Sequence, residues 1–216
     1  MTMKKKIKRF WIIILLLLFN SSTSAETVLT TFFQADAGPR YFKHDGQVVG
    51  ICVDIIDELN KRLRHANLKI IAHHEYFPTQ RMFNYLAEGK ADLFVGMTKT
   101  EKRTQIYRFS DIPLYNIPYV FAKNKEDSFE YTGLKSLKGK RISCLRGTNS
   151  CLKIGEILGA VQDDLDGLEQ IIRKLSKGRT DLAIYPKLGL QWIIRNLDLQ
   201  GRIMLIGKPF KNRYQH

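Results

Sequence analysis

Two hydrophobic spacings take turns along this chain, and their alternation restricts the fold more than any other feature of the sequence. A β-branched and aromatic run at 28–33 predicts a strand, closed by the turn residues Ala37, Gly38 and Pro39. After a second turn at His44, Asp45 and Gly46, the apolar residues Ile55, Ile56, Leu59 and Leu63 recur at helical spacing. They predict an amphipathic helix over 53–64. A strand over 69–72 follows. Thr79 as N-cap, then Met82, Phe83 and Leu86, with Gly89 as the left-handed terminator, predict a second helix. Residues 92–95 read as a further buried strand. Strand, helix, strand, helix, strand is the pattern of a parallel sheet covered on both faces, so residues 26–113 are expected to form one α/β unit.

The alternation then restarts. Pro113, Pro118 and the aromatic-rich stretch 115–121 mark a crossing segment, and the stretch 123–133 beyond it is polar. A strand over 141–145 and a helix over 149–158 come next. Leu165, Leu168, Ile171, Ile172 and Leu175 give a strongly periodic helix, and residues 181–184 a strand. A second α/β unit is therefore expected over 114–216. A content of 44% hydrophobic and 26% charged residues in 216 is that of a globular protein large enough for two small cores, and excludes a disordered chain.

The N-terminus carries a separate signal. Lys4, Lys5, Lys6, Lys8 and Arg9 precede an unbroken apolar stretch over 10–19, then small residues up to Ala25. Residues 1–25 read as a secretory signal peptide cleaved after Ala25. About ten apolar residues fall well short of the roughly 20 that a membrane-spanning helix needs, and no cysteine follows the cleavage site to take a lipid. The leader holds five of the 35 basic residues and none of the 21 acidic ones, so the formal charge drops from +14 to +9 without it. That remaining basic charge is scattered among acids, and export argues against nucleic acid as a partner. Three cysteines in an exported chain leave at least one unpaired. Cys144 and Cys151 are near enough in sequence to close a loop, worth roughly 2.5 kcal/mol. Whether they do depends on the strand-to-helix turn bringing their Cα atoms within range. Cys52 is by default a small buried hydrophobe.

One string of residues goes further than periodicity. Gly96 to Arg103 (GMTKTEKR), followed by Phe109 to Asp111 (FSD), resembles the bacterial extracellular solute-binding proteins of family 3. So do Gly46 to Asp54 (GQVVGICVD), Gly89 to Asp92 (GKAD), Leu137 to Lys140 (LKGK), Gly147-Thr148 and Gly178 to Asp181 (GRTD), in the family's order and spacing. The resemblance implies an α/β, two-lobed clamshell of the periplasmic-binding-protein type that closes on a small solute between its lobes. It also implies no cofactor, a membrane transporter permease as partner, a monomeric state and a periplasmic location.

It further implies where the ligand sits. Arg103 falls on the position that holds the ligand's carboxylate, and a guanidinium fork matches a carboxylate bidentately. Thr98 and the backbone at Gly96 hold the ligand from the first lobe. Gly147, Thr148 and Asn149, between a strand and a helix start, offer backbone N–H groups from the second; a simple capped turn is the plainer alternative. Tyr41, Phe42, Tyr115 and Tyr119 are candidates for apolar walls, although the family's stacking aromatic falls here on Ala37.

Two departures stand out. Tyr185 and Pro186 occupy positions where the family places an acid for a ligand's α-ammonium; Gln34 or Asp36 would have to substitute, or the ligand lacks that group. Residues 207–216 resemble the second crossing back to lobe 1, so lobe 1 is expected to lack its return strand and closing helices, leaving an unpaired edge. That sets a non-functional truncated product beside the binding reading. A sensor input domain and an enzyme of the same fold, such as a dehydratase, also stand beside it. No nucleophile motif supports catalysis, and His73 and His74, as strand neighbours, point to opposite faces and cannot easily share a metal.

Overall fold

The computed structural model describes residues 25–215 apart from 36, 156 and 158. The signal peptide expected at 1–25 lies outside that range except for Ala25, and so does Asp36. Among the described residues no helix is long and apolar enough to cross a membrane.

Lobe 1 opens with β1 (Thr27–Gln34), which pairs in parallel with β4 (Leu68–Phe77). Between them lie the hairpin of β2 (Phe42–His44) and β3 (Gln47–Val49) and the helix α1 (Ile51–Leu63). Asp45 and Gly46 join the hairpin with φ of 49° and 77°. Two successive positive φ values are what a two-residue turn of this hand requires, which is why Asp-Gly serves there. β1 works by its period of two: Phe33 packs with Cys52 and Ile56 of α1, while Phe32 faces Met82 and Phe83 of α2 (Thr79–Ala87). Thr79 is the first residue of α2 and not its cap, which is Pro78, and its hydroxyl accepts a bond from the Gln34 amide at 3.0 Å. Gly89, at φ 67°, follows the helix end in the left-handed conformation its position demands.

The strand expected at 92–95 does not form. The Asp92 carboxylate takes the Thr30 backbone N–H and the Thr30 hydroxyl, both at 2.7 Å, and so occupies a donor that a ladder partner would need. The N–H groups of Asp92 and Leu93 both converge on the Thr30 carbonyl. The segment leans on β1 without entering the sheet. A four-residue helix, α3 (Glu101–Thr104), then begins at Thr100, whose side chain accepts from the Arg103 N–H.

Lobe 2 is built on a five-stranded sheet in the order β7-β6-β8-β5-β9. It comprises β5 (Tyr115–Asn124), β6 (Arg141–Leu145), β7 (Val161–Leu165), β8 (Leu182–Pro186) and β9 (Ile203–Gln215). β6 pairs in parallel with β7 and β8, whereas β5 runs antiparallel to both β8 and β9. Two further boundaries differ. Leu165 ends β7 and the helix α5 (Leu168–Ser176) begins after Gly167; α4 (Asn149–Ile154) is shorter than 149–158. α6 (Lys187–Asn196) completes the lobe.

Both faces of this sheet are covered. Ala183 and Tyr185 of β8 pack with α5 and α6 through Leu168, Ile171, Ile172, Leu175, Leu190 and Ile194. Leu182 and Ile184 face the other side, with Leu137, Cys151 and Ile154. Each fully buried aliphatic side chain stabilises by about 1.5–3 kcal/mol, so the two layers fix the strand register. Cys144 at the end of β6 and Cys151 in α4 are disulfide-bonded, with Cα atoms 5.3 Å apart. Cys52 is a buried free thiol.

Candidate functional site

The two lobes meet around a small cavity. Lobe 1 supplies Gln34, Arg40, Thr79, Phe83, Phe94, Gly96, Met97, Thr98 and Arg103; lobe 2 supplies Tyr119, Thr148, Asn149, Tyr185 and Pro186. The segment through Gly96 is its spine. Gly96 itself has φ 99°, a conformation that glycine adopts without strain.

Arg103 reaches the cavity from α3. One Nη donates to the Thr98 carbonyl at 3.0 Å and the other to the Gly147 carbonyl at 3.4 Å, which carries a bond from lobe 1 to lobe 2. The guanidinium lies over the Phe83 ring, 4.4 Å from its centroid, so its plane is held by stacking as well as by bonds. Burial draws its pKa below the ordinary arginine value, with Tyr119 and Tyr107 acting the other way; it stays cationic at physiological pH.

Arg40 was not singled out by the sequence pattern, yet it stands at the opposite end of the same spine. It donates to the Gly96 carbonyl at 3.0 Å and to the Tyr185 hydroxyl at 3.4 Å. Burial opposes its charge, but Tyr185, Tyr115 and Cys52 outweigh that and leave its pKa above the ordinary value. Its only sequence signal was its place directly after the Gly38-Pro39 turn.

The remaining predicted residues divide. Thr98 is buried in the cavity wall with its hydroxyl 3.5 Å from that of Tyr119. Gly147 lies at the rim, where its carbonyl meets Arg103 and a Cβ in its place would meet Gln80 at 3.4 Å. Thr148 lines the cavity, but both its N–H and its hydroxyl donate to the Leu145 carbonyl, so the free donors expected there are committed to the turn. Asn149 is 3% exposed, and its amide nitrogen is buried with no partner among the described residues.

Of the aromatic candidates only Tyr119 lines the cavity. Tyr41 belongs to the core of lobe 1, where its hydroxyl donates to the Val95 carbonyl at 2.7 Å. Tyr115 sits at the crossing beside Cys52, 3.7 Å from its sulfur. Phe42 contacts Trp192 of α6 at the outer edge of the lobe junction. The walls are made instead by Phe83, Phe94, Tyr119 and Tyr185. Among the described residues no acid lines the cavity, and Tyr185 and Pro186 stand where an acid was sought. Cys144, Cys151 and Asp164 gather within 4.8 Å, but the two sulfurs are bonded to each other and are not free to ligate a metal.

Two α/β lobes closing on a polar, cation-lined cavity define a clamshell ligand-binding protein. The chain belongs to the bacterial extracellular solute-binding proteins, family 3, whose model matches residues 29–201. Among solved structures it is similar to the holo form of ArgBP from T. maritima (TM-score 0.72, 21% identity, 87% of this chain and 80% of that one). It is also similar to the arginine-bound amino acid transporter substrate-binding protein AbpA from Streptococcus pneumoniae (0.70, 19%, 87% and 79%). A histidine kinase sensor domain resembling periplasmic binding proteins aligns at 0.79, with 18% identity over 88% of this chain and 81% of that one. No individual curated protein matches the sequence.

Proposed function

We propose that this chain captures a small carboxylate-bearing solute of the amino-acid type in the periplasm, by closing its two lobes, and hands it to a membrane transporter. The observation that carries the reading is Arg103, a stacked guanidinium of lobe 1 that touches lobe 2 at Gly147 and lines the shared cavity without a carboxylate partner among the described residues. A ligand carboxylate would complete it, and a charge-assisted bond of this kind contributes about 1.5–3 kcal/mol. The Cys144–Cys151 disulfide suits an oxidising compartment. Binding without turnover is the expected behaviour.

The test is a thermal melt of residues 26–216 against amino acids and small carboxylates, since a ligand that binds only the folded state raises the melting temperature. One or more compounds should shift the melt, and Arg103→Ala should abolish the shift while leaving the unliganded transition in place. A shift that survives Arg103→Ala would remove this residue from the site. The likeness to a sensor domain favours a second reading, in which the same closed state is offered to a signalling partner. Pull-down with a membrane permease against a sensor kinase separates the two.

A further inference from the structure

We infer that the cleft selects ligands carrying two acidic groups on a short carbon chain, a dicarboxylate or an acidic amino acid, and rejects cationic ones. The inference rests on the solute-binding reading and deepens it. Arg40 and Arg103 both line the one cavity, and neither has an ion-pair partner among the described residues. Arg40 has five N–H donors and meets two neutral acceptors, the Gly96 carbonyl and the Tyr185 hydroxyl. Among the described residues the Arg103 guanidinium likewise meets only the carbonyls of Thr98 and Gly147 and the neutral face of Phe83. The buried Asn149 amide nitrogen, without a partner among the described residues, is a further donor. Donors and positive charge therefore surround the cavity, with no described acid to balance them.

The small cavity sets the ligand's length. The two guanidiniums are anchored in its wall, on the carbonyls of Gly96 and Thr98. A molecule with one acid group at each guanidinium must be short enough to lie within that cavity. The first acid group meets Arg103 and the second meets Arg40 under Tyr185. A basic amino acid would instead bring a third positive charge beside Arg40. The position that the family gives to an acid is here the Tyr185 hydroxyl, which already accepts from Arg40 and supports that arginine's orientation.

The experiment is calorimetric titration of residues 26–216 with glutarate, L-glutamate, L-glutamine and L-arginine. Glutamate differs from glutamine only in the second charge, and glutarate omits the α-ammonium, so the arms separate an acidic amino acid from a plain dicarboxylate. At least one diacid should bind roughly 10- to 100-fold tighter than glutamine, the range of one charge-assisted bond, and arginine should bind more weakly still. Glutamine or arginine binding as tightly as the diacids would overturn the inference while leaving the solute-binding reading intact. Binding of none of the four overturns the inference, and a carboxylate outside the set that still shifts the melt would keep the broader reading alive. Arg40→Met should bring the diacid and the amide to nearly equal affinity. Unchanged discrimination in a folded Arg40→Met protein also refutes it, and if that variant does not fold, the four titrations of the unsubstituted chain decide alone.

Discussion

Asp163 ties three elements of lobe 2 together through one carboxylate. It accepts from the Ser143 hydroxyl of β6 and from the Lys174 ammonium of α5 while sitting on β7. Burial works to raise its pKa, but the Lys174 and Ser143 hydrogen bonds, with the charges of Lys174 and Arg141, outweigh it and hold the carboxyl below its ordinary value. A depressed folded pKa contributes stability that is present above the unfolded carboxylate pKa of about 3.9 and is lost as pH falls below it. Asp163→Asn should therefore cost about 1–2 kcal/mol at pH 7, and urea melts should show the gap to the unsubstituted protein narrowing by pH 3. At this scale the sequence was partly readable. Arg103 stood out because it closes a family string, whereas Arg40 follows an ordinary turn and acquires its role only when Tyr185, far along the chain, folds against it.

Elements were legible where one face is apolar and the other polar. α1, α2 and α5 lie within a few residues of their predicted bounds, because their core stripes follow the helical period. β7 was missed for the opposite reason: its segment Gln162, Asp163, Asp164 is polar and takes an edge position, held by backbone bonds to β6 that no pattern announces. The segment at 92–95 failed through a side-chain contest, with the Asp92 carboxylate claiming the Thr30 N–H. The β6-to-α4 turn is where local structure depends most on a covalent tie. Its disulfide spans the residues that present Thr148 and Asn149 to the cavity. Reducing it, or replacing both cysteines by serine, should lower stability by roughly 2.5 kcal/mol, a fall of about 5–10 °C in melting temperature, measured as melts with and without reductant.

Across the whole molecule, the lobes come into close contact at Gly38 and Trp192. A methyl group added at Gly38 would come within 2.4 Å of the Trp192 ring, and Phe42 packs on the same ring from lobe 1 at 5.5 Å between centroids. Gly38→Ala should prop the lobes apart. Small-angle scattering should then give a larger radius of gyration in the presence of ligand than for the unsubstituted protein, with the melting temperature of the unliganded chain nearly unchanged. The two-unit architecture was readable from the repeated alternation, but the mutual placement of the units was not. It rests on contacts such as Arg103 with Gly147 and Gly38 with Trp192, each between residues with no relation in the sequence pattern.

The sequence holds two tryptophans, Trp11 and Trp192. Over residues 26–216 the single indole is the one pressed between Gly38 and Phe42 at the lobe junction. The protein thus carries its own optical gauge, since opening the clamshell would wet that ring and redden its emission, and closing would dry it and shift the light toward the blue, with no dye attached.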